Sequence, residues 1–251
     1  MAQFRKNPLK RRIEAGGVGV IANGPNSSDM CDFLGQFGFD ATFVDFEHGG
    51  VSWSELSDIS RASDLWDMAT VVRVNTLQES LILRALDQGA SAVMIPHVIS
   101  MSDAERAARA CRYPPSGTRG VAGSRRAYGV KNYFEGANSE VQCMALIEDA
   151  TALDNLNELV RVDGIDCYYV APSDLAASMG HTGDPGNAKV QHAINRAVDK
   201  IVAADRVAGT LVNDSNVAAF LDRGVRCVGV SWQAWLGEGA SKFLERARAR
   251  H

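Results

Sequence analysis

The run GVGVIANGPNSS, residues 17–28, decides between two architectures. Its first six residues are apolar or glycine, as a strand covered on both faces must be; the next six read as a turn. A doubly wound dinucleotide-binding sheet would carry G-x-G-x-x-G at this first strand-to-helix turn, where glycines let the backbone approach a pyrophosphate. Asn23-Gly24-Pro25-Asn26-Ser27-Ser28 has one glycine and a proline there instead. The turn therefore argues for the other common way to bury parallel strands, a closed (β/α)8 TIM barrel.

Seven further runs have the same character: ATFVDF (41–46), ATVVRV (69–74), SAVMIP (91–96), CMALIE (143–148), CYYVAP (167–172), AGTLV (208–212) and RCVGVS (226–231). The segments between them read as helices. Leu77, Leu81 and Ala85 repeat at helical spacing before Gly89, and Val190, Ile194, Ala197 and Ile201 do the same. Ser52/Glu55, Thr76/Glu79 and Ser102/Glu105 have capping-box spacing after a strand. Eight strands alternating with helices over 251 residues predict an α/β protein with one barrel domain over 1–251.

Composition narrows the class. Hydrophobic residues make up 46% and charged residues 22%, which excludes collagen-like, disordered and disulfide-scaffold chains. Net charge is 26 − 30 = −4, so nothing favours nucleic acid or an anionic membrane as partner. Five scattered cysteines without C-x-x-C fit a reducing compartment, no zinc site, and a role as small core hydrophobes. The basic N-terminus lacks the apolar segment of a signal peptide, and no 18-residue apolar run occurs. The expectation is a cytoplasmic protein.

One connection is long: residues 113–141, rich in Gly, Pro, Arg and Tyr, which predicts a functional loop or subunit contact. Arg119, Arg125 and Arg126 either line an anion's path or only meet solvent and neighbouring carboxylates. The segment from about 234 to 250 predicts a long final helix.

In a TIM barrel the chemistry sits where strands end. Strand two ends in Asp45-Phe46-Glu47-His48-Gly49-Gly50, strand three at Arg73, strand five at Glu148-Asp149, and strand six at Ala171-Pro172-Ser173-Asp174. Glu148 and Asp174 come from consecutive strands, so they can converge on a hard divalent cation; equally, each can pair with an arginine or cap a helix. His48 is a candidate general base or a loop histidine bonded to backbone. Arg73 needs an anionic partner, whether Asp45, another carboxylate or substrate. His97, just past Pro96, has no acidic neighbour in sequence and is kept as a pocket-wall residue. His181, His192 and His251 look like loop, helix and tail residues. No lysine ends a strand, which disfavours a Schiff base. No glycine-rich phosphate loop follows strands seven or eight, which favours an unphosphorylated acid as substrate.

These residues lie in recognisable blocks: GFDATFVDFEH, VVRVN, RYPPSGTRGV, LIED, APSDLAASMG and GDPG. Together they resemble the class II pyruvate-dependent aldolases of the HpcH/HpaI family over nearly the whole chain. The resemblance implies a divalent metal (Mg²⁺, Mn²⁺ or Co²⁺) and a homohexamer, a trimer of dimers with exchanged C-terminal helices. It implies reversible cleavage of 4-hydroxy-2-oxo acids to pyruvate or hydroxypyruvate and an aldehyde through a metal-stabilised enolate. His48 then matches the base in a D-x-E-H segment begun by Asp45, Arg73 the enolate-stabilising arginine, and Glu148 and Asp174 the metal ligands. The backbone N–H groups of Ser173 and Asp174 would hold the substrate carboxylate. Asp87 matches an acid that makes the histidine more basic, and its place on the barrel's far face implies that a neighbouring subunit supplies it. Three features depart from the family: Leu146 stands where a substrate-contacting Gln is usual, Ala171-Pro172 where Gly-Pro is usual, and Ile21-Ala22 where a Trp is common. The alternative is a CoA-thioester lyase of the related citrate lyase beta/malyl-CoA lyase group.

Overall fold

The computed structural model describes residues 4–249. Eight parallel strands close into a barrel in sequence order. They are β1 Gly19–Asn23, β2 Ala41–Asp45, β3 Ala69–Arg73, β4 Ala92–Ile95, β5 Gln142–Ile147, β6 Cys167–Val170, β7 Ala208–Val212 and β8 Cys227–Ser231. Around them run α1 Pro8–Glu14, α2 Ser28–Gly35, α3 Trp53–Leu65, α4 Glu79–Asp87, α5 Met101–Ala110 and α6 Tyr133–Glu140. The second half adds α7 Ala150–Asp154, α8 Leu156–Leu159, α9 Pro172–Ser178, α10 Ala188–Ala203, α11 Val217–Asp222 and α12 Trp232–Arg248.

The apolar runs are continuous because each strand feeds two cores. Val44, Val72, Val93, Ala145 and Val170 point outward into the layer shared with the helices. Ile21, Phe43, Val71, Met94, Leu146 and Tyr169 alternate with them and fill the barrel. Gly209 and Gly229 leave room for the Tyr169 ring: a Cβ at 209 would meet it at 2.5 Å, and one at 229 would collide with its hydroxyl. All five cysteines are buried and unpaired, as expected of small core residues.

Helix α1 has no counterpart among the helices expected from the sequence, although Asn7 before Pro8 is a helix-start pair and Leu9 and Ile13 stand four residues apart. Those two side chains join the barrel's inner core and close its N-terminal end. A Cβ at Gly19 would strike Leu9. Asn7 caps the helix by accepting from Lys10 N–H at 3.1 Å. Its amide donates to the carbonyls of Ser91 (3.0 Å) and Glu140 (3.1 Å), which ties α1 to the bottom of β4 and β5.

Of the three capping boxes, Ser52/Glu55 forms. Thr76/Glu79 does not: the Thr76 carbonyl accepts Gln78 N–H in a tight turn, and α4 starts only at Glu79. Ser102/Glu105 does not either. α5 begins earlier, on Ser100, whose box partner is Asp103.

Residues 113–141 are not a bare loop. They hold a 3₁₀ turn at Arg125–Ala127 and helix α6, anchored by buried Tyr113, Tyr133 and Ala137. As a helix-to-strand connection, the segment covers the N-terminal face, away from the strand ends where chemistry occurs. Arg119 pairs with Asp87 (2.8 Å), and Arg125 and Arg126 reach Asp64 (2.8 and 3.5 Å). Each of these arginines meets a neighbouring carboxylate, as one of the two readings has it, but Arg125 and Arg126 share Asp64. The final helix is present as α12, and none of its described residues is buried. No helix among the described residues is long and apolar enough to cross a membrane. His181 lies in the turn after α9 and His192 in α10; His251 lies outside the described residues.

Candidate active site

Strand register creates the first cluster. Asp45 and Arg73 are partners at the ends of β2 and β3 and share the inward parity of Phe43 and Val71. The Arg73 guanidinium donates from Nε to Asp45 Oδ1 (2.9 Å) and from Nη2 to Oδ2 (2.6 Å). Its Nη1 lies 3.0 Å from Glu47 Oε2. Asp45 Oδ1 also accepts from the backbone N–H groups of Glu47 (3.0 Å) and His48 (3.3 Å). Burial alone would raise the Asp45 carboxyl; the hydrogen bonds and charge of Arg73 prevail and hold it below its usual range. The turn that follows is tight enough that a Cβ at Gly49 would collide with the Asp45 carbonyl oxygen, whereas Gly50 faces open space. It projects His48 over the barrel mouth, its side chain 63% exposed and Nε2 3.8 Å from Glu47.

The second cluster follows β4 and β5. Glu148 continues the inward parity of Met144 and Leu146, and its side chain is 1% exposed. Oε1 accepts the His97 backbone N–H at 2.8 Å, while Oε2 is buried without a hydrogen-bond partner. Burial first, and then the Asp174 and Glu47 carboxylates, push this carboxyl up to about 7 against the pull of His97. His97 sits in the left-handed region, φ 53°, a conformation that costs a non-glycine residue roughly 1–3 kcal/mol. That backbone aims its N–H at Glu148 and its Nδ1 at Asp149 Oδ2, 3.0 Å away. The hydrogen bond that Asp149 accepts from the ring chiefly raises the His97 imidazole above its ordinary value.

A cavity of about 250 Å³ sits over the strand ends. His48, Arg73, Leu146, Ser173 and Asp174, all named from sequence, line it, and no lysine does among the described residues. Asn23, Phe43, Met94 and Tyr169 also line it and were missed. Inward parity counted back from each strand end would have found Phe43, Met94 and Tyr169. Ser173 and Asp174 stand in the first turn of α9 behind Pro172, where backbone N–H groups have no carbonyl partner within the helix. Asp87 is not brought to His48. It ends α4 and binds Arg119, itself stacked on Tyr113 at 4.4 Å.

A divalent cation fits this donor set. Glu148 is a buried carboxylate with one unsatisfied oxygen and further carboxylates around it, and a positive charge would relieve both. Glu148 with Asp174 is the pair read from sequence. The structure adds a second combination: ligand atoms of His97, Glu148 and Asp149 lie within 4.8 Å of one another.

The chain is 36% identical over 247 residues to a 2-dehydro-3,6-dideoxy-6-sulfogluconate aldolase of Pseudomonas putida, covering 96% of each chain. It is 32% identical over 255 residues to a hydroxypyruvate/pyruvate aldolase of Paraburkholderia phytofirmans, covering 97% of this chain and 98% of that one. Among solved structures, an HpcH/HpaI aldolase/citrate lyase family protein of Burkholderia cenocepacia superposes with a TM-score of 0.89 at 30% identity, covering 96% of this chain and 99% of that one. The HpcH/HpaI aldolase/citrate lyase pattern itself matches residues 22–234. The chain belongs to the HpcH/HpaI aldolase/citrate lyase family.

Proposed function

We propose that this aldolase-family enzyme is a class II aldehyde-lyase that reversibly cleaves 4-hydroxy-2-oxo acids to pyruvate, or hydroxypyruvate, and an aldehyde. The observation that carries the reading is the buried, half-satisfied Glu148 carboxylate, near enough to Asp174 and to Arg73 to feel the charge of both. Glu148 and Asp174 would hold Mg²⁺, Mn²⁺ or Co²⁺, which when bound supplies Lewis-acid charge to a 2-oxo acid.

The chain's own groups do the rest. The N–H groups of Ser173 and Asp174 orient the substrate carboxylate, and Leu146 packs against the donor. His48 accepts the proton of the C4 hydroxyl. The C3–C4 bond breaks, the aldehyde leaves, and the bonding electron pair passes to the 2-oxo acid fragment. Its enolate oxygen faces Arg73, a charge already oriented by Asp45 and Glu47, so no reorganisation is needed when negative charge develops. Returning a proton to C3 completes pyruvate. With Leu146 in place of a hydrogen-bonding side chain, the donor's oxygen is recognised by fewer donors, which opens the site to hydroxypyruvate.

Each subunit is one barrel domain. An exposed α12 bearing Leu236, Phe243 and Leu244 supports its exchange between subunits of a hexamer, in which a neighbour's Asp87 would reach His48. The deciding experiment incubates the protein with pyruvate in D₂O, with and without Mn²⁺. Exchange of the methyl protons that needs both the cation and His48 is expected; its absence, or a melting-temperature shift with CoA esters but not with 2-oxo acids, would refute the reading.

A further inference from the structure

We propose that the N-terminal face of the barrel carries a second binding site, for a small oxyanion, built by Arg5, Arg125 and Arg126 around Asp64. A cavity of about 550 Å³ opens there, with Arg5, Lys6, Asp64, Met68, Ser91 and Arg126 among its walls. Met68 and Ser91 stand just before β3 and β4, so this cavity and the one over His48 occupy opposite ends of the barrel.

Charge balance is the argument. Asp64, with its side chain 9% exposed, takes Arg125 Nη2 at 2.8 Å, Arg5 Nη1 at 3.4 Å and Arg126 Nη1 at 3.5 Å. One carboxylate cannot neutralise three guanidinium groups. Lys6 and Asp67 on the same wall add one charge of each sign, so the cluster of Arg5, Arg125, Arg126 and Lys6 against Asp64 and Asp67 carries 4 − 2 = 2 excess positive charges. Two of these charges, Arg125 and Arg126, are poorly hydrated. Arg126 has a side chain only 11% exposed; burial foremost, with repulsion from Arg125 and Arg5 adding to it, lowers its guanidinium below the ordinary value. Arg125 Nε is buried with no partner. Arg126 donates only through Nη1, to Asp64 and to the Gly89 carbonyl (3.2 Å); its Nε and Nη2 make no hydrogen bond among the described residues.

The active site is balanced differently. Arg73 is matched by two acids, whereas three arginines here share one. Concentrated, under-matched guanidinium charge beside an open cavity suits a dianion, and the planar fork of arginine fits phosphate, sulfate and carboxylate oxygens alike. The class of ligand is therefore a small dianionic oxyanion.

The test uses the full-length protein, titrated with phosphate, sulfate or succinate at constant ionic strength set by NaCl, and read by calorimetry and thermal unfolding. A saturable rise in melting temperature with one anion bound per chain at this site is expected. Arg126→Gln and Arg5→Gln should each weaken binding by about ten-fold or more, the scale of a lost charge-assisted contact. Arg73→Lys should leave it in place, which separates this site from the active site. Arg5 is half exposed, so Arg5→Gln still decides the matter if circular dichroism shows Arg126→Gln unfolded. No rise beyond that of NaCl, a rise that both arginine variants retain, or one that only Arg73→Lys removes would overturn the proposal.

Discussion

The two halves of the barrel mouth are built on opposite electrical principles. At the ends of β2 and β3, Arg73 is bound by Asp45 and Glu47, Asp45 is bound by two backbone N–H groups, and every strong charge has a partner. At the ends of β5 and β6, Glu148, Asp149 and Asp174 gather with a single imidazole, and one Glu148 oxygen has nothing. The first half is complete as the chain folds. The second is electrostatically unfinished, and a divalent cation is the group that would finish it.

This contrast is most exposed to challenge at Glu148. Glu148→Gln keeps the side-chain shape and removes the charge. Calorimetry should show Mn²⁺ binding lost, and turnover should fall by roughly 10³-fold, as for other charge-stabilising groups in water-poor sites. Retained Mn²⁺ binding would mean that Glu148 is not the cation's ligand.

On the finished side, Arg73→Ala should cost roughly 3–4 kcal/mol of transition-state stabilisation, about 10²-fold or more in kcat, with a smaller change in KM. It also strands Asp45, whose titration by NMR should move upward once the Arg73 charge and hydrogen bonds are gone. If kcat changed no more than KM, Arg73 would be a ground-state binder only.

A third measurement needs no mutation. Folded Glu148 keeps its proton up to about pH 7, whereas an unfolded Glu releases it near 4.5. Between those values the unfolded chain binds fewer protons, so metal-free stability should fall as pH rises through the window and level off above it, by about 3 kcal/mol in all. Saturating Mn²⁺ should flatten that slope, because the cation takes the proton's place. Urea unfolding at a series of pH values, with and without metal, checks both statements.

The smallest expected effect is Gly49→Ala. Its methyl would meet the Asp45 carbonyl, and overpacking of this kind costs roughly 1–3 kcal/mol. Turnover should drop through displacement of His48 while Mn²⁺ affinity stays unchanged. A parallel loss of metal would show that the two halves are mechanically joined.

Much of this can be read from residue order. Strands buried on both faces announce themselves as unbroken apolar runs, and the strand-end rule together with inward parity leads to Asp45, Arg73 and Glu148. Other features have little or no local signal. His97 meets Asp149 across 52 residues, and only the adjacency of β4 and β5 makes them neighbours. Helix α1 is hidden because a start pair and two apolar residues in a basic stretch signify little until a barrel end needs closing. The α5 cap lies two residues before the expected one because Ser100/Asp103 and Ser102/Glu105 both satisfy the same spacing, and only the path of the chain after His97 selects the former.

That same short helix α1 has a consequence for traffic. With Leu9 and Ile13 corking one end and Tyr169 spanning the interior, the barrel is a blind well. Solvent, reactants and departing products share one doorway, so anything lodged at that rim holds up entry and exit together.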